Sequence, residues 1–252
     1  MPNRPGPRHD GGPSSTCAPT VKNPRPFVAL VAAALLAACA APAPAPLDAA
    51  RFEALFPQRL PFYSLAGFEA ARRAFPAFAN SGDARRDRQE LAAFLSQIDH
   101  ESDGLRALRE YDISRHAHYC REQLPGERCA PGRQYYGRGP IQLSWNYQYR
   151  AAGAALGLDL WARPDLVAED ERIAWQTALW YWMTQPGPGT LSAHAALAAG
   201  LGFGATTRSI NGALECGQAP DSLGARQMQA RAGRYRELSA LLGVAPQEPL
   251  TC

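Results

Sequence analysis

Two glutamates nine positions apart, Glu101 and Glu110, lie in the stretch SQIDHESDGLRALREYD, residues 96–112. Two carboxylates across a small gap suit acid–base hydrolysis: one gives a proton to a leaving group and the other takes one from water. A solvated charge pair on a helix is the competing explanation. Upstream, Leu91, Phe94, Leu95 and Ile98 recur at helical spacing, and extending that apolar stripe reaches Glu101. A carboxyl at a core edge loses water and is favoured in its protonated form; a helix that had already ended would leave it exposed. Glu110 cannot serve from the same straight helix, because nine residues put the two side chains on opposite sides and about 13 Å apart along the axis. Gly104 offers a break, and EYDIS could leave the helix as a strand or a loop. A bend there brings the carboxylates towards the roughly 6.5–9.5 Å that leaves room for a water between them.

Downstream, YYGRGPIQLSWNYQYR, residues 135–150, is dense in aromatics, amides and glycines. Gly137 and Gly139 permit unusual backbone angles, while Gln142, Ser144, Asn146 and Tyr147 supply donors and acceptors. Amides and hydroxyls at the edges with an aromatic plane at the face suit a sugar. Two plainer explanations remain open: Ser144 as the cap of a helix WNYQYRAAGAAL ending at Gly157, and the tyrosines as core filling.

The elements that must position these residues belong to one body. A chain of 252 residues with 46% hydrophobic residues can bury a core. The net charge of +3, with Lys22 the only lysine and no dense basic run, argues against nucleic acid as a partner. Residues 1–38 hold an N-terminal extension and the apolar run FVALVAAALLAA behind Lys22 and Arg25, the layout of a secretory signal. The run closes on LAAC, so Cys39 is either the lipidated cysteine of an outer-membrane lipoprotein or part of an ordinary small-residue cleavage site for a secreted protein. Residues 39–47 form an Ala-Pro tether, and 48–252 a single domain. Within it are four cysteines; of three connectivities, Cys120 with Cys129 and Cys216 with Cys252 is favoured, and zinc is disfavoured for want of a C-x-x-C or clustered histidines. ERIAWQTALWYWMT is apolar nearly all round and reads as a buried helix, whose tryptophans are scaffold. Met228, Ala232, Tyr235, Leu238 and Leu242 form another helical core stripe.

In order and at similar spacing, AFLSQIDHESDG, HYC, YYGRGPIQLSWNYQY, LDLWARPDLVAED, AWQTALWYWMT, GFGATTRSINGALECG and ARAGRYREL resemble the chitinases of glycoside hydrolase family 19 in their compact bacterial form. The resemblance implies an α+β, predominantly helical, lysozyme-like fold that cleaves chitin, β-1,4-linked N-acetylglucosamine, within the chain and by inversion, as a monomer without cofactor or metal. It implies Glu101 as general acid, Glu110 as general base and Ser144 as the residue holding the attacking water. Gln142, Asn146, Tyr147 and Asn211 fall on substrate-cleft positions, Glu215 and Arg231 on charged residues that set the carboxylates' electrostatics, and His100 is expected to support Glu101. Where the family has Thr-Gly-Gly this chain has Ser102-Asp103-Gly104, which brings another acid near Glu101, and Glu122 and Glu127 are rivals to Glu110. A peptidoglycan hydrolase and a catalytically inactive glycan-binding lipoprotein are the alternatives; two retained carboxylates with Ser144 disfavour the second, since binding alone needs neither.

Overall fold

The computed structural model describes residues 47–122 and 128–252. The export signal, Cys39, most of the Ala-Pro tract and Glu127 lie outside the described residues. Eight α-helices form among the described residues: α1 (Ala49–Leu55), α2 (Leu65–Arg72), α3 (Ala84–Glu101), α4 (Asn146–Leu156), α5 (Glu171–Thr184), α6 (Ala193–Ala198), α7 (Phe203–Glu215) and α8 (Leu223–Leu241). Short 3-10 helices cover Ile113–His118 and Pro164–Ala168. No strand forms among the described residues; the β component reduces to two isolated antiparallel bridges, Arg109 with Arg138 and Arg138 with Leu143. No described helix is long and apolar enough to cross a membrane.

The core is built where α2, α3 and α5 meet. Phe68 of α2 stacks on Phe94 of α3 with ring centroids 5.9 Å apart, and Trp175 and Trp182 of α5 meet these rings edge-on or tilted. Offset and edge contacts of this kind add to the large apolar area that aromatics bury. Trp175 and Trp182 are fully buried and Trp180 is 4% exposed, so α5 is scaffold, as its all-round apolar sequence predicts. Leu47, expected within the tether, is itself buried in this core.

Helix α3 carries the first carboxylate. Asp83 caps its N-terminus by accepting from the amides of Arg85 and Arg86, which satisfies two amides that have no partner inside the helix. Leu91 through Ile98 are all buried, and α3 packs along α8. The helix runs through Glu101, its last residue.

The turn that the sequence required is made immediately afterwards. Asp103, Gly104 and Leu105 adopt φ of 52°, 66° and 63°, three successive left-handed residues of which only the glycine does so without steric cost. Ser102 pins the turn, its hydroxyl donating to Ile98 O at 2.6 Å while its oxygen accepts from Leu105 N at 3.1 Å. The chain then runs extended as a loop: Gly139 N donates to Leu108 O and Glu110 N donates to Gly137 O.

Two disulfides form, Cys120–Cys129 and Cys216–Cys252. The first flanks the loop after Glu110, and the second fastens Cys252 to the residue that follows α7. The two cysteines of the first pair, with Glu122, are grouped closely enough to suggest a metal site, but disulfide sulfurs offer no thiolate to hold one.

Candidate active site

A cavity of about 340 Å³ opens at the end of α3. Glu101 lines it together with Gln142 and Ser144 from the loop before α4, and Asn211 from α7. Trp145, Gln148, Tyr181 and Tyr119 complete much of its wall. Glu101 keeps only 19% of its side chain exposed, so the helix delivers it to a cleft wall rather than to open solvent.

Behind Glu101 lies a buried charge network. Arg231 of α8 is 1% exposed and Glu215 of α7 fully buried. Arg231 donates through Nε and Nη2 to the two Glu215 oxygens, each at 2.8 Å, and through Nη1 to Gln97 Oε1 at 2.7 Å. Gln97 in turn donates to the hydroxyls of Thr206 and Thr207. Such a two-pronged pairing is the geometry in which a buried charge pair is tolerated. Burial works against the Arg231 charge, but Glu101 and Glu215 together hold its pKa above the usual arginine value. Arg231 Nη2 also stands 2.5 Å from Glu101 Oε1 as an ion pair. Asn211 joins the network by donating to Glu215 Oε1 at 2.7 Å from a kinked position in α7, φ −138°. Burial and the Arg231 charge push the pKa of His100 below the ordinary imidazole range, against the pull of Glu101, Glu215 and Asp99.

Asp103 faces away from this network: it pairs with Arg106 at 2.5 Å and accepts from the Tyr111 hydroxyl, on an exposed surface.

Glu110 is held from the opposite side of the turn, with 16% of its side chain exposed. Its Oε1 accepts from the Tyr119 hydroxyl at 2.7 Å and has Arg115 Nε 3.9 Å away. Its Oε2 is buried with no hydrogen-bond partner. Both Tyr119 and Arg115 line the cavity that holds Glu101. Glu122, by contrast, is exposed and accepts from the amide of Cys129.

The loop before α4 is shaped by unusual backbone. Gln142 and Trp145 have φ of 50° and 74°, conformations that side-chain-bearing residues adopt rarely and that concentrate at functional sites. A Cβ on Gly137 would meet Gln142 Oε1 at 2.7 Å, so glycine there lets the Gln142 amide lie against the backbone. Ser144 does not cap α4, which begins without a side-chain cap after Trp145; its hydroxyl donates to Gln142 O at 2.9 Å and keeps its lone pairs at the cavity wall.

The family model for glycoside hydrolase 19, described as chitinase class I, matches residues 50–252. The chain belongs to this family. Endochitinase A2 of Pisum sativum is 42% identical over 222 residues, 77% of this chain and 65% of the relative, and an endochitinase of Phaseolus vulgaris is 38% identical over 252 residues, 85% and 74%. The chain thus spans about two thirds to three quarters of these curated plant relatives. Among solved structures, a bacterial family 19 chitinase is similar with TM-score 0.77 and 46% identity, covering 82% of this chain and all of that one. Chitinase C from Streptomyces griseus HUT6037 gives TM-score 0.77 and 43% identity, with 82% and 80% covered. The predominantly helical family 19 fold is therefore this chain's fold.

In this family 19 member the residues named from sequence divide in two. Glu101, Gln142, Ser144 and Asn211 share the cavity wall, with Arg231 and Glu215 directly behind it. Asn146 is buried, with its amide closed on the backbone of Arg121 in both directions, at 3.0 and 2.8 Å. Tyr147 packs under the Arg121 guanidinium at 4.2 Å and stacks beside Trp145. Sequence reasoning did not single out Tyr119, Gln148 or Tyr181 as site residues. Gln148 Oε1 is buried without a partner in the cavity wall, and its position one helical step from the named Tyr147 was the only available signal. Burial, with Glu101 and Tyr147 nearby, pushes the Tyr181 hydroxyl up to about 12.

Proposed function

We propose that this family 19 glycoside hydrolase cleaves chitin, a β-1,4-linked N-acetylglucosamine polymer, at internal bonds and with inversion at the anomeric carbon. The observation that carries this reading is the turn after α3, which leaves Glu101 in the cavity wall while Glu110 is hydrogen-bonded to Tyr119 of the same wall. Glu101 gives its carboxyl proton to the glycosidic oxygen as the bond from the anomeric carbon to that oxygen breaks. A water beside Ser144 adds to the anomeric carbon from the opposite face and passes a proton to Glu110. Asn211, held by Glu215, presents an amide to the acetamido sugar. The endochitinase names of the plant relatives support the choice of substrate.

The reading extends to location and assembly: an exported monomer, anchored in the outer membrane through a lipidated Cys39. Two disulfides support an oxidising compartment.

The test is incubation of the full chain with a chitin hexasaccharide and, separately, with purified peptidoglycan, followed by chromatography of the products. Di-, tri- and tetrasaccharides from the first substrate support internal chitin cleavage. Release of fragments from peptidoglycan alone would transfer the same chemistry to the bacterial wall, and cleavage of neither would leave only binding.

A further inference from the structure

Glu110 reaches the cleft through another residue's hydroxyl, and that residue is unusually well anchored. Tyr119 precedes Cys120, which is tied to Cys129. Its carbonyl accepts from Asn146 N at 3.1 Å, and the Asn146 amide clamps the backbone of Arg121 two residues on. Its ring packs edge-on against Trp145 at 5.4 Å. A disulfide, the first residue of α4 and an aromatic contact thus converge on one half-buried tyrosine, whose hydroxyl donates to Glu110 Oε1 at 2.7 Å. The other carboxylate oxygen, Oε2, is buried without a donor.

We propose that Tyr119 is a positioning residue for the water-activating carboxylate: its hydroxyl ties down Oε1 and so fixes the Glu110 carboxylate against the cleft wall that Tyr119 lines. The proposal rests on Glu110 being the general base. The direction of donation is fixed, because burial and the neighbouring Glu110 carboxylate push the Tyr119 hydroxyl up to about 12, and a phenol so hard to ionise keeps its proton. Other charged or titratable groups surround the pair. Arg115 Nε lies 3.9 Å from Oε1 and its guanidinium over the Tyr119 ring at 5.9 Å. His116 Nε2 meets the Glu110 carbonyl at 3.1 Å and its ring stacks on Tyr136, and Asp112 raises the Tyr119 pKa slightly. None of these donates to a carboxylate oxygen of Glu110, so the tyrosine is the group whose removal changes that carboxylate's hydrogen bonding.

The experiment compares full-length Tyr119→Phe, Glu110→Gln and the unaltered protein across pH on a soluble chitin oligosaccharide. Phenylalanine keeps the ring against Trp145 and removes only the donor. In Tyr119→Phe kcat then falls roughly 10-fold, the factor for losing one hydrogen bond to a charged group, with KM nearly unchanged. An unchanged kcat in Tyr119→Phe, beside an inactive Glu110→Gln, overturns the proposal and leaves Glu110 as base. A fall in kcat accompanied by an equal rise in KM and a lower melting temperature also overturns it, since a merely structural tyrosine would act that way. Turnover persisting in Glu110→Gln would instead remove the base assignment on which the proposal rests.

Discussion

Arg231 Nη2 stands 2.5 Å from Glu101 Oε1, although the hydrogen bonds of the same guanidinium go to Glu215 and Gln97. The positive charge beside this cleft carboxyl is therefore held by partners on α7 and α3 as well as by Glu101. Removing one member of a buried pair leaves the other uncompensated. Arg231→Met should lower unfolding free energy by about 3–5 kcal/mol, read from urea denaturation. Glu215→Gln with Arg231→Met should recover part of that loss.

Glu101→Gln keeps the size and shape of the side chain and removes the carboxyl proposed to donate the proton. Turnover should fall by at least ~10²-fold, the lower range for a positioned acid, with the circular dichroism spectrum unchanged. Appreciable residual turnover would remove Glu101 from the acid role.

A second buried carboxylate has no part in the chemistry but ties three helices together. Glu90 of α3 accepts from Trp182 Nε1 of α5 at 2.9 Å and meets His194 Nδ1 of α6 at 2.6 Å. The hydrogen bond with Glu90 raises the His194 pKa above its ordinary value, outweighing partial burial. A folded-state value above the unfolded one means that the His194 contribution is complete below about pH 6.5 and is lost as pH rises through the folded value. The melting-temperature gap between the unaltered protein and His194→Gln should therefore be wider near pH 6 than near pH 9. His100, shifted down, opposes this trend, but it is common to both proteins and cancels in the comparison.

Cys216–Cys252 spans 36 residues and Cys120–Cys129 spans 9. Loop-closure entropy assigns roughly 4 kcal/mol to the first and roughly 3 kcal/mol to the second. Replacing both cysteines of the longer loop by serine should shift the denaturation midpoint more. Replacing those of the shorter loop should affect activity more, because that loop holds Tyr119.

The path of α3 to Glu101 was legible because Leu91, Phe94, Leu95 and Ile98 form an unbroken helical stripe, although burial extends all round the helix from Gln89 to Ile98. Gly104 announced the turn, and aspartate tolerates the left-handed region better than most residues, but Leu105 joining it was not legible, since nothing in its chemistry favours that conformation. Ser144 before an aromatic-rich helix could be a cap or a cleft residue; the positive φ of Trp145 starts α4 another way and leaves the serine at the cleft. The Tyr119–Glu110 bond could not be read either, because it depends on how a loop folds back nine residues later. Local propensity sees neighbours in sequence, and the site is assembled from neighbours in space.

The most direct measurement follows the anomeric protons by NMR from the first minutes of hydrolysis of a soluble chitin oligosaccharide. Water activated by Glu110 and attacking opposite the leaving oxygen predicts the α-anomer as the first product, equilibrating only later by mutarotation. Initial appearance of the β-anomer would contradict the two-carboxylate inverting arrangement built around Glu101 and Glu110.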